Sequence, residues 1–459
     1  MLRVEQPVGG RLRRTTGWVS RARRFAPVTV RLVSAPETPA LPSGAYVRLV
    51  VLSGLIGIPA ALVAAAFLIV VHELQHWLWV DLPDHLGSTS PQWYLVLGLP
   101  VIGGAVVLAA RTLLPGDGGH APLHGISVEP TPVAHGPGVA LATLGTLSFG
   151  GVLGPEAPLI ALGSVVGIAV TRIARLGTRE NAVLATAGSF SAISAVFGPL
   201  VSGILLLEAG IGLGAGLIPV LLPGLVAAAV GYTIFVGLGD WGGIGTYKLA
   251  VPDLPAYDGT HVLDLLVAIA VGVVAALLVT LVRWLALQLD GRGQRRLGLP
   301  LLLLGGATIV GALALMADGL GANSQDVLFS GQTSVPDLLA EDSTKIVVIL
   351  IAAKALAYAI CLGCGFRGGL VFPAIFLGVA LTTLTVIAFG VSPTLAVAVG
   401  TAAGMAAATR LLLGSVLFAA LLVGSAGLDA IPAAVLAAVA AWLMVAALDR
   451  RERGPAQVT

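Results

Sequence analysis

The chain has 459 residues, of which 57% are hydrophobic and 10% charged, against about 25% charged in an ordinary soluble domain. With a mean hydropathy of +0.98 and apolar stretches recurring from Tyr46 to Leu448, the composition excludes a soluble globular protein and specifies a polytopic membrane protein whose partner is the lipid bilayer. A formal net charge of +2 carries no information about partners when so few charges face water, and no nucleic-acid partner is expected.

Residues 1–45 carry Arg3, Arg11, Arg13, Arg14, Arg21, Arg23, Arg24 and Arg31 against Glu5 and Glu37. They read as a basic cytoplasmic tail, with no apolar run for a signal peptide before residue 46. Arginines recur at Arg111, at Arg172, Arg175 and Arg179, at Arg292, Arg295 and Arg296, and at Arg450, Arg451 and Arg453. Acidic residues mark the other connections: Asp81 and Asp84, then Asp240, Asp253 and Asp258, then Asp318, Asp326, Asp337, Glu341 and Asp342. The positive-inside rule puts the first set in the cytoplasm and the second outside. Residues 46–80 then run outward, 93–110 return, 136–171 form a hairpin and 181–237 make three passes. Residues 262–288 return, 300–317 go out, and 346–449 come back through several short segments to a cytoplasmic tail at 450–459. The run 181–197 is at or below the roughly 20 residues of a full span, which predicts half-membrane or steeply tilted helices.

An internal repeat is visible. Residues 154–163 read GPEAPLIALG and residues 369–378 read GLVFPAIFLG, so Gly, Pro, Ile, Leu and Gly coincide at an offset of 215. Small-residue segments follow each copy, around Ala187 and Gly188 and around Ala403 and Gly404. The transmembrane domain, 46–449, therefore divides into related halves at about 46–240 and 260–449. Repeated halves with Gly- and Pro-interrupted segments point to a transport site near the bilayer midplane.

In the first copy, Gly150, Gly151 and Gly154 allow an irregular backbone, and Pro155 suits a first helical turn. A helix starting there inside the membrane turns its unpaired N–H groups and positive dipole end toward a dry site, whose complementary ligand is an anion. Gly368, Gly369 and Pro373 supply the second start. The expected anion cradle is therefore Gly154, Pro155 and Ala157 with Gly369, Leu370, Val371 and Phe372. Glu156 is an ionisable residue in an apolar segment; its carboxylate can take the anion's place and leave on protonation, as a gate or a proton carrier. Its plainer reading is a helix-capping carboxylate. Arg367 and Lys354 either raise the local potential for anions or snorkel to headgroups. Cys361 and Cys364 form a single C-x-x-C, which reads as packing.

One competing motif belongs to another class. His72-Glu73-Leu74-Gln75-His76 is a formal H-E-x-x-H, which on a helix puts two imidazoles on one face beside a glutamate, as zinc proteases require. Asp290 could pass for a distant third ligand. The segment adjoins Trp77, Trp79 and Asp81, where an interfacial aromatic belt is expected, and Asp290 falls in a basic loop on the opposite side. Neither a metal nor a cofactor is expected.

These residues together resemble the CLC family of chloride channels and proton/chloride exchangers. Gly154 to Pro158, GPEAP, looks like that family's G-K/R-E-G-P, which places Glu156 at the gating glutamate. Lys354 to Pro373 resembles the stretch ending in G-x-F-x-P, and Phe197 to Glu208 the segment ending in an inner acid. Gly118-Gly119-His120-Ala121-Pro122 is a weak counterpart of G-S-G-I-P, so Gly119 and His120 fall at the central anion site. The departures are specific. The family's serine falls at Gly119, its Phe at Val371, and Pro155 stands where a basic residue precedes the glutamate. Glu208 matches the first of two inner acids and Ala209 the second, leaving Glu208 as a different proton route. No tyrosine follows Tyr358. The resemblance implies an all-α fold of two inverted repeats with broken, tilted and half-membrane helices, without cytoplasmic regulatory domains. It implies a homodimer with one pore per subunit in a bacterial plasma membrane, both termini cytoplasmic. The implied function is permeation of a small inorganic anion, chloride first, through a pore gated by Glu156, with proton-coupled antiport of chloride or fluoride as the alternative.

Overall fold

The computed structural model describes residues 43–210, 218–242 and 250–453; the basic segment up to residue 42 and the tail from residue 454 lie outside them. In a bilayer each backbone N–H and C=O must be satisfied within the protein, so long apolar segments fold as helices. Thirteen carry the fold. They are α1 (Ser43–His76), α2 (Trp93–Leu113), α3 (Gly136–Leu147), α4 (Glu156–Ile173), α5 (Thr178–Ala209), α6 (Ile218–Gly242), α7 (Val262–Gln288), α8 (Gln294–Gly319), α9 (Thr344–Gly363), α10 (Val371–Phe389), α11 (Pro393–Thr409), α12 (Leu412–Val423) and α13 (Ile431–Arg453). Among the described residues ten helical stretches are long and apolar enough to cross a membrane. Residues 136–171, expected as a hairpin, hold α3 and α4. Residues 181–237 fold as the two parts of α5, broken at Gly198, and α6.

The repeat extends far beyond the ten residues in which the sequence shows it. At the offset of 215 that separates Glu156 from Val371, the start of α4 falls on the start of α10 and the start of α5 on the start of α11. The later part of α5 then overlaps α12, α1 overlaps α7, α3 overlaps α9 and α6 overlaps α13. Packing repeats as well. The pair α4 and α5 is in such close contact that a Cβ on Gly163 would lie 2.3 Å from the Gly188 carbonyl oxygen. In the pair α10 and α11, a Cβ on Gly378 would lie 2.0 Å from that of Gly400. Small residues let the backbones meet, and dispersion drives the association in lipid.

Burial sorts the helices. From Val371 to Ala380 α10 is buried on all sides, as is α11 from Thr394 to Ala407; the first is apolar all round and the second apolar but for Thr394 and Thr401, as helices enclosed by protein are. By contrast α1 exposes Val47, Val51, Leu55 and Leu62, and α7 exposes Leu263, Leu266, Leu277 and Leu281, a face suited to acyl chains.

The H-E-x-x-H segment holds the loop ahead of α4. Its Gln75 Nε2 donates to the Leu147 carbonyl at 2.7 Å, and Trp79 Nε1 donates to the Ser148 carbonyl at 3.0 Å. Trp79 is 3% exposed, so it does not belong to the interfacial belt expected of it; its N–H finds a partner inside the protein. His72 and Glu73 are exposed, and His76 pairs with Asp81 at 3.3 Å. Among the described residues no three His, Cys, Asp or Glu side chains converge as a metal site, so His72 and His76 gain no third ligand from Asp290.

The close helix crossing predicts that Gly163→Leu, which overpacks the α4 and α5 contact, lowers stability by about 1–3 kcal/mol. The readout is a fall in the Tm of the detergent-purified protein.

Candidate functional site

Two loops, 148–155 and 364–370, enter the interior from opposite halves and meet. The Gly154 N–H donates to the Gly369 carbonyl at 2.8 Å, and the Gly369 N–H to the Gly154 carbonyl at 2.6 Å, an isolated antiparallel bridge. Just beyond it α4 begins at Glu156 and α10 at Val371. Both helix starts therefore face a shared space in the middle of the protein.

Glu156 is 1% exposed. Its Oε1 accepts the Val371 N–H at 2.5 Å, so the carboxylate lies on the N-terminus of the helix that repeats its own. Its Oε2 is buried without a hydrogen-bond partner. Glycine at 369 is obligatory for this arrangement, since a Cβ there would lie 1.9 Å from the carboxyl carbon. A buried carboxylate with one oxygen on an N–H and the other unpaired is costly in its ionised form, which suits a group that changes protonation or place.

Three cavities lie around the two helix starts, of which the second is lined by Glu156 itself. One of about 190 Å³ is lined by Phe372, Phe418, Thr401, Val251 and Gln332 on the side of the acidic connections, and Thr401 Oγ1 is buried there without a partner. A second, of about 40 Å³, is lined by Glu156, Ala157, Gly369, Leu370, His120 and Glu129. A third, of about 520 Å³, opens among Tyr358, Leu370, Glu208, Arg283, Arg410 and Asp449. The second and third share Pro122, Gly125, Ile126 and Leu370. Between the first cavity and the carboxylate stands an aromatic cluster, with Phe197 stacked on Phe372 at 5.7 Å and Phe418 4.8 Å from Phe197.

The residues expected in the cradle take different roles. Ala157, Leu370 and Phe372 line the cavities, and the Val371 N–H holds the carboxylate. Gly154 and Gly369 spend their N–H groups on one another, so they lock the two helix starts together rather than bind an anion. Pro155 has no N–H; it precedes α4 and its carbonyl accepts the Leu159 N–H at 3.2 Å. The Gly119 N–H is taken by the Gly116 carbonyl at 2.9 Å, which removes Gly119 from an anion's reach, whereas exposed His120 lines the cavity of Glu156. Cys361 and Cys364 are free thiols in the interior, and the Cys361 sulfur accepts the Val152 N–H.

The two cations do not snorkel. Lys354 is fully buried, and its Nζ donates to the Asp326 carbonyl at 2.7 Å and the Leu328 carbonyl at 2.9 Å, over the Phe376 ring at 4.4 Å. It closes the carbonyl end of the short helix Ser324–Val327. Arg367, 4% exposed, binds the Asp117 carboxylate at 2.5 Å and its carbonyl at 3.0 Å. Arg111 grips the same carboxylate at 2.8 and 2.9 Å and reaches the Gly365 carbonyl at 2.7 Å. This cluster ties the loop after α2 to the second helix start. Glu208 accepts the N–H groups of Leu412, Leu413 and Gly414 at 3.0, 2.8 and 2.7 Å; it caps α12 and faces the large cavity.

Sequence reasoning missed Tyr358, Thr401, Arg283, Arg410 and the Phe197 to Phe418 contact. Tyr358 is fully buried, and its hydroxyl donates to the Leu370 carbonyl at 2.7 Å, where the small and large cavities meet. A lone tyrosine in an apolar helix was a signal for it, since a buried hydroxyl needs a partner. The remainder depend on which helix faces meet.

Two repeated halves whose broken helices meet over a buried carboxylate, with cavities on either side, define a membrane transport protein for small anions. The sequence model described as "Voltage gated chloride channel" matches residues 120–445, and the chain belongs to that family, whose activity is CLC-type anion transport. It is 29% identical over 343 residues to "Putative ion-transport protein YfeO" of Escherichia coli O7:K1, covering 71% of this chain and 76% of that protein. Among solved structures it resembles a slow cyanobacterial Cl-/H+ antiporter, with a TM-score of 0.73, 16% identity, and 87% and 95% of the two chains covered. A CLC-type fluoride/proton antiporter matches with a TM-score of 0.67, 20% identity, and 88% and 96% covered. At these identities the structural likeness establishes the fold.

Burial opposes ionisation of Asp117, but the hydrogen bond from Arg111 and the charges of Arg367 and Arg111 outweigh it and hold the carboxyl below the ordinary 3.8. A depressed folded-state value means the cluster's stabilisation is present above 3.8 and lost as pH falls through the lower value. Asp117→Asn is expected to lower the Tm at pH 7 and to flatten its decline below pH 4, as checked by melting across a pH series.

Proposed function

We propose that the protein conducts a small inorganic anion, chloride first, along a path on which the Glu156 carboxylate is the gate. The observation that carries this reading is the Glu156 carboxylate seated on the N-terminus of α10, between a cavity on one side and two on the other. A carboxylate there stands in for the anion, and its departure leaves the Val371 N–H and the positive end of α10 to the permeating ion. Arg283 and Arg410 at the large cavity make its mouth attractive to anions, although Asp449 pairs with Arg410 at 2.5 Å.

Proton-coupled antiport of chloride or fluoride is the second reading. It is favoured by the unpartnered Glu156 Oε2, which a proton would neutralise, and by the antiporters among the structural neighbours. Following the family, the working assembly is a homodimer with one path in each subunit. The sorting of arginines to one set of connections supports a plasma-membrane orientation with both termini in the cytoplasm, and the Escherichia relatives support a bacterial source.

In proteoliposomes under a chloride gradient, wild type is expected to release chloride with a dependence on pH, and Glu156→Gln to release it without that dependence. Absence of chloride, nitrate and fluoride release from both proteins would sink the reading. Light scattering coupled to size exclusion is expected to give twice the chain mass.

A further inference from the structure

Glu208, the inner acid that resemblance offers as a proton route, is occupied. It accepts three backbone N–H groups at the start of α12 and lines the 520 Å³ cavity, which Glu156 does not. The cavity that Glu156 does line, of about 40 Å³, contains two other titratable side chains, His120 and Glu129, with Ser127 and Thr131 beside them. Both His120 and Glu129 are exposed, while Glu156 is buried, so this cavity runs from the Glu156 side chain toward the surface. Its size exceeds the roughly 10–15 Å³ that one water requires, and its walls are polar enough to hold one.

We propose that His120 and Glu129 form the inner proton relay of Glu156, through the small cavity rather than by way of Glu208. The inference rests on the proton-coupled reading above. Protonated Glu156 gives its proton through water to the neutral ring of His120, whose imidazolium passes it to the Glu129 carboxylate or to bulk water. Each transfer breaks one bond to hydrogen and forms another, so no co-reactant is needed. The charges in the two cavities favour this route. The small cavity is lined by two carboxylates and by no Lys or Arg, whereas the large one sets Arg283 and Arg410 against Glu208 and Asp449. The groups acting on His120 are His124, at a ring separation of 6.4 Å, Glu129 and Arg367. Partial burial of the ring and the neighbouring charge of His124 lower its pKa from 6.5, which keeps it a neutral acceptor at pH 7.

The test uses the full chain in proteoliposomes, with chloride release and external pH recorded together for wild type, Glu129→Gln, His120→Gln and Glu208→Gln. Chloride release by Glu129→Gln shows that this variant is folded. The expected result is proton movement cut in Glu129→Gln and His120→Gln by roughly a hundredfold, the lower end of what a positioned proton-transfer group contributes, with chloride release continuing in Glu129→Gln. Wild-type proton-to-chloride ratios in both variants would overturn the relay, and loss of proton movement in Glu208→Gln alone would return the route to Glu208. Chloride release by wild type without protons overturns the relay while leaving the anion path standing. No anion release from wild type overturns both.

Discussion

The arrangement depends on two backbone hydrogen bonds between residues far apart in the chain, Gly154 to Gly369 and back. They are made where two helices begin, so the N–H groups of the first turns are brought face to face in the interior. A helix start in hydrocarbon leaves several donors without acceptors, which the bilayer cannot satisfy. Pairing the two starts answers part of that deficit and concentrates the remaining positive potential in one place. A carboxylate or a permeating anion is the chemistry that completes it.

That potential comes from the backbone, and the nearby cations are engaged elsewhere. Lys354 is spent on the carbonyls of Asp326 and Leu328, and Arg367 on Asp117. Buried charges persist when they are paired or hydrogen-bonded, and both residues follow that rule. Their structural duty is to fix the loops that carry the site. A site built from partial charges binds an anion without holding it as a buried lysine would, and release is as necessary to transport as binding.

The membrane class, the helical segments and the place of Glu156 at a helix start were legible in the sequence because each is a local property: apolar length, the spacing of charged connections, a carboxylate after a glycine-rich break. The repeat was legible only where packing fixed residue identity, at the Gly and Pro positions of residues 154–163 and 369–378, although the helices correspond across most of both halves. Elsewhere apolar residues exchange freely at equal burial, and the likeness is erased. The roles of Gly119, Pro155, Gly154 and Gly369 were not legible, since a glycine in a motif does not say whether its N–H faces a ligand or another carbonyl. Trp79 and Gln75 looked interfacial or metal-related for a similar reason: only the approach of α1 to the end of α3 shows what their N–H groups donate to.

The contact between Glu156 and Val371 joins positions that the repeat makes equivalent, and this bears on how such a molecule could arise from two copies of one half. Were the halves identical, each would carry an acid at this position, and two carboxylates would compete for the same small volume across the pseudosymmetry axis. One would have to stay neutral or leave, because like charges in a shared dry site cannot both ionise. Joining the halves in one chain lets the second position become valine, which contributes only its N–H. The acceptor and the donor are thereby divided between the copies, and a symmetric scaffold acquires a single acid.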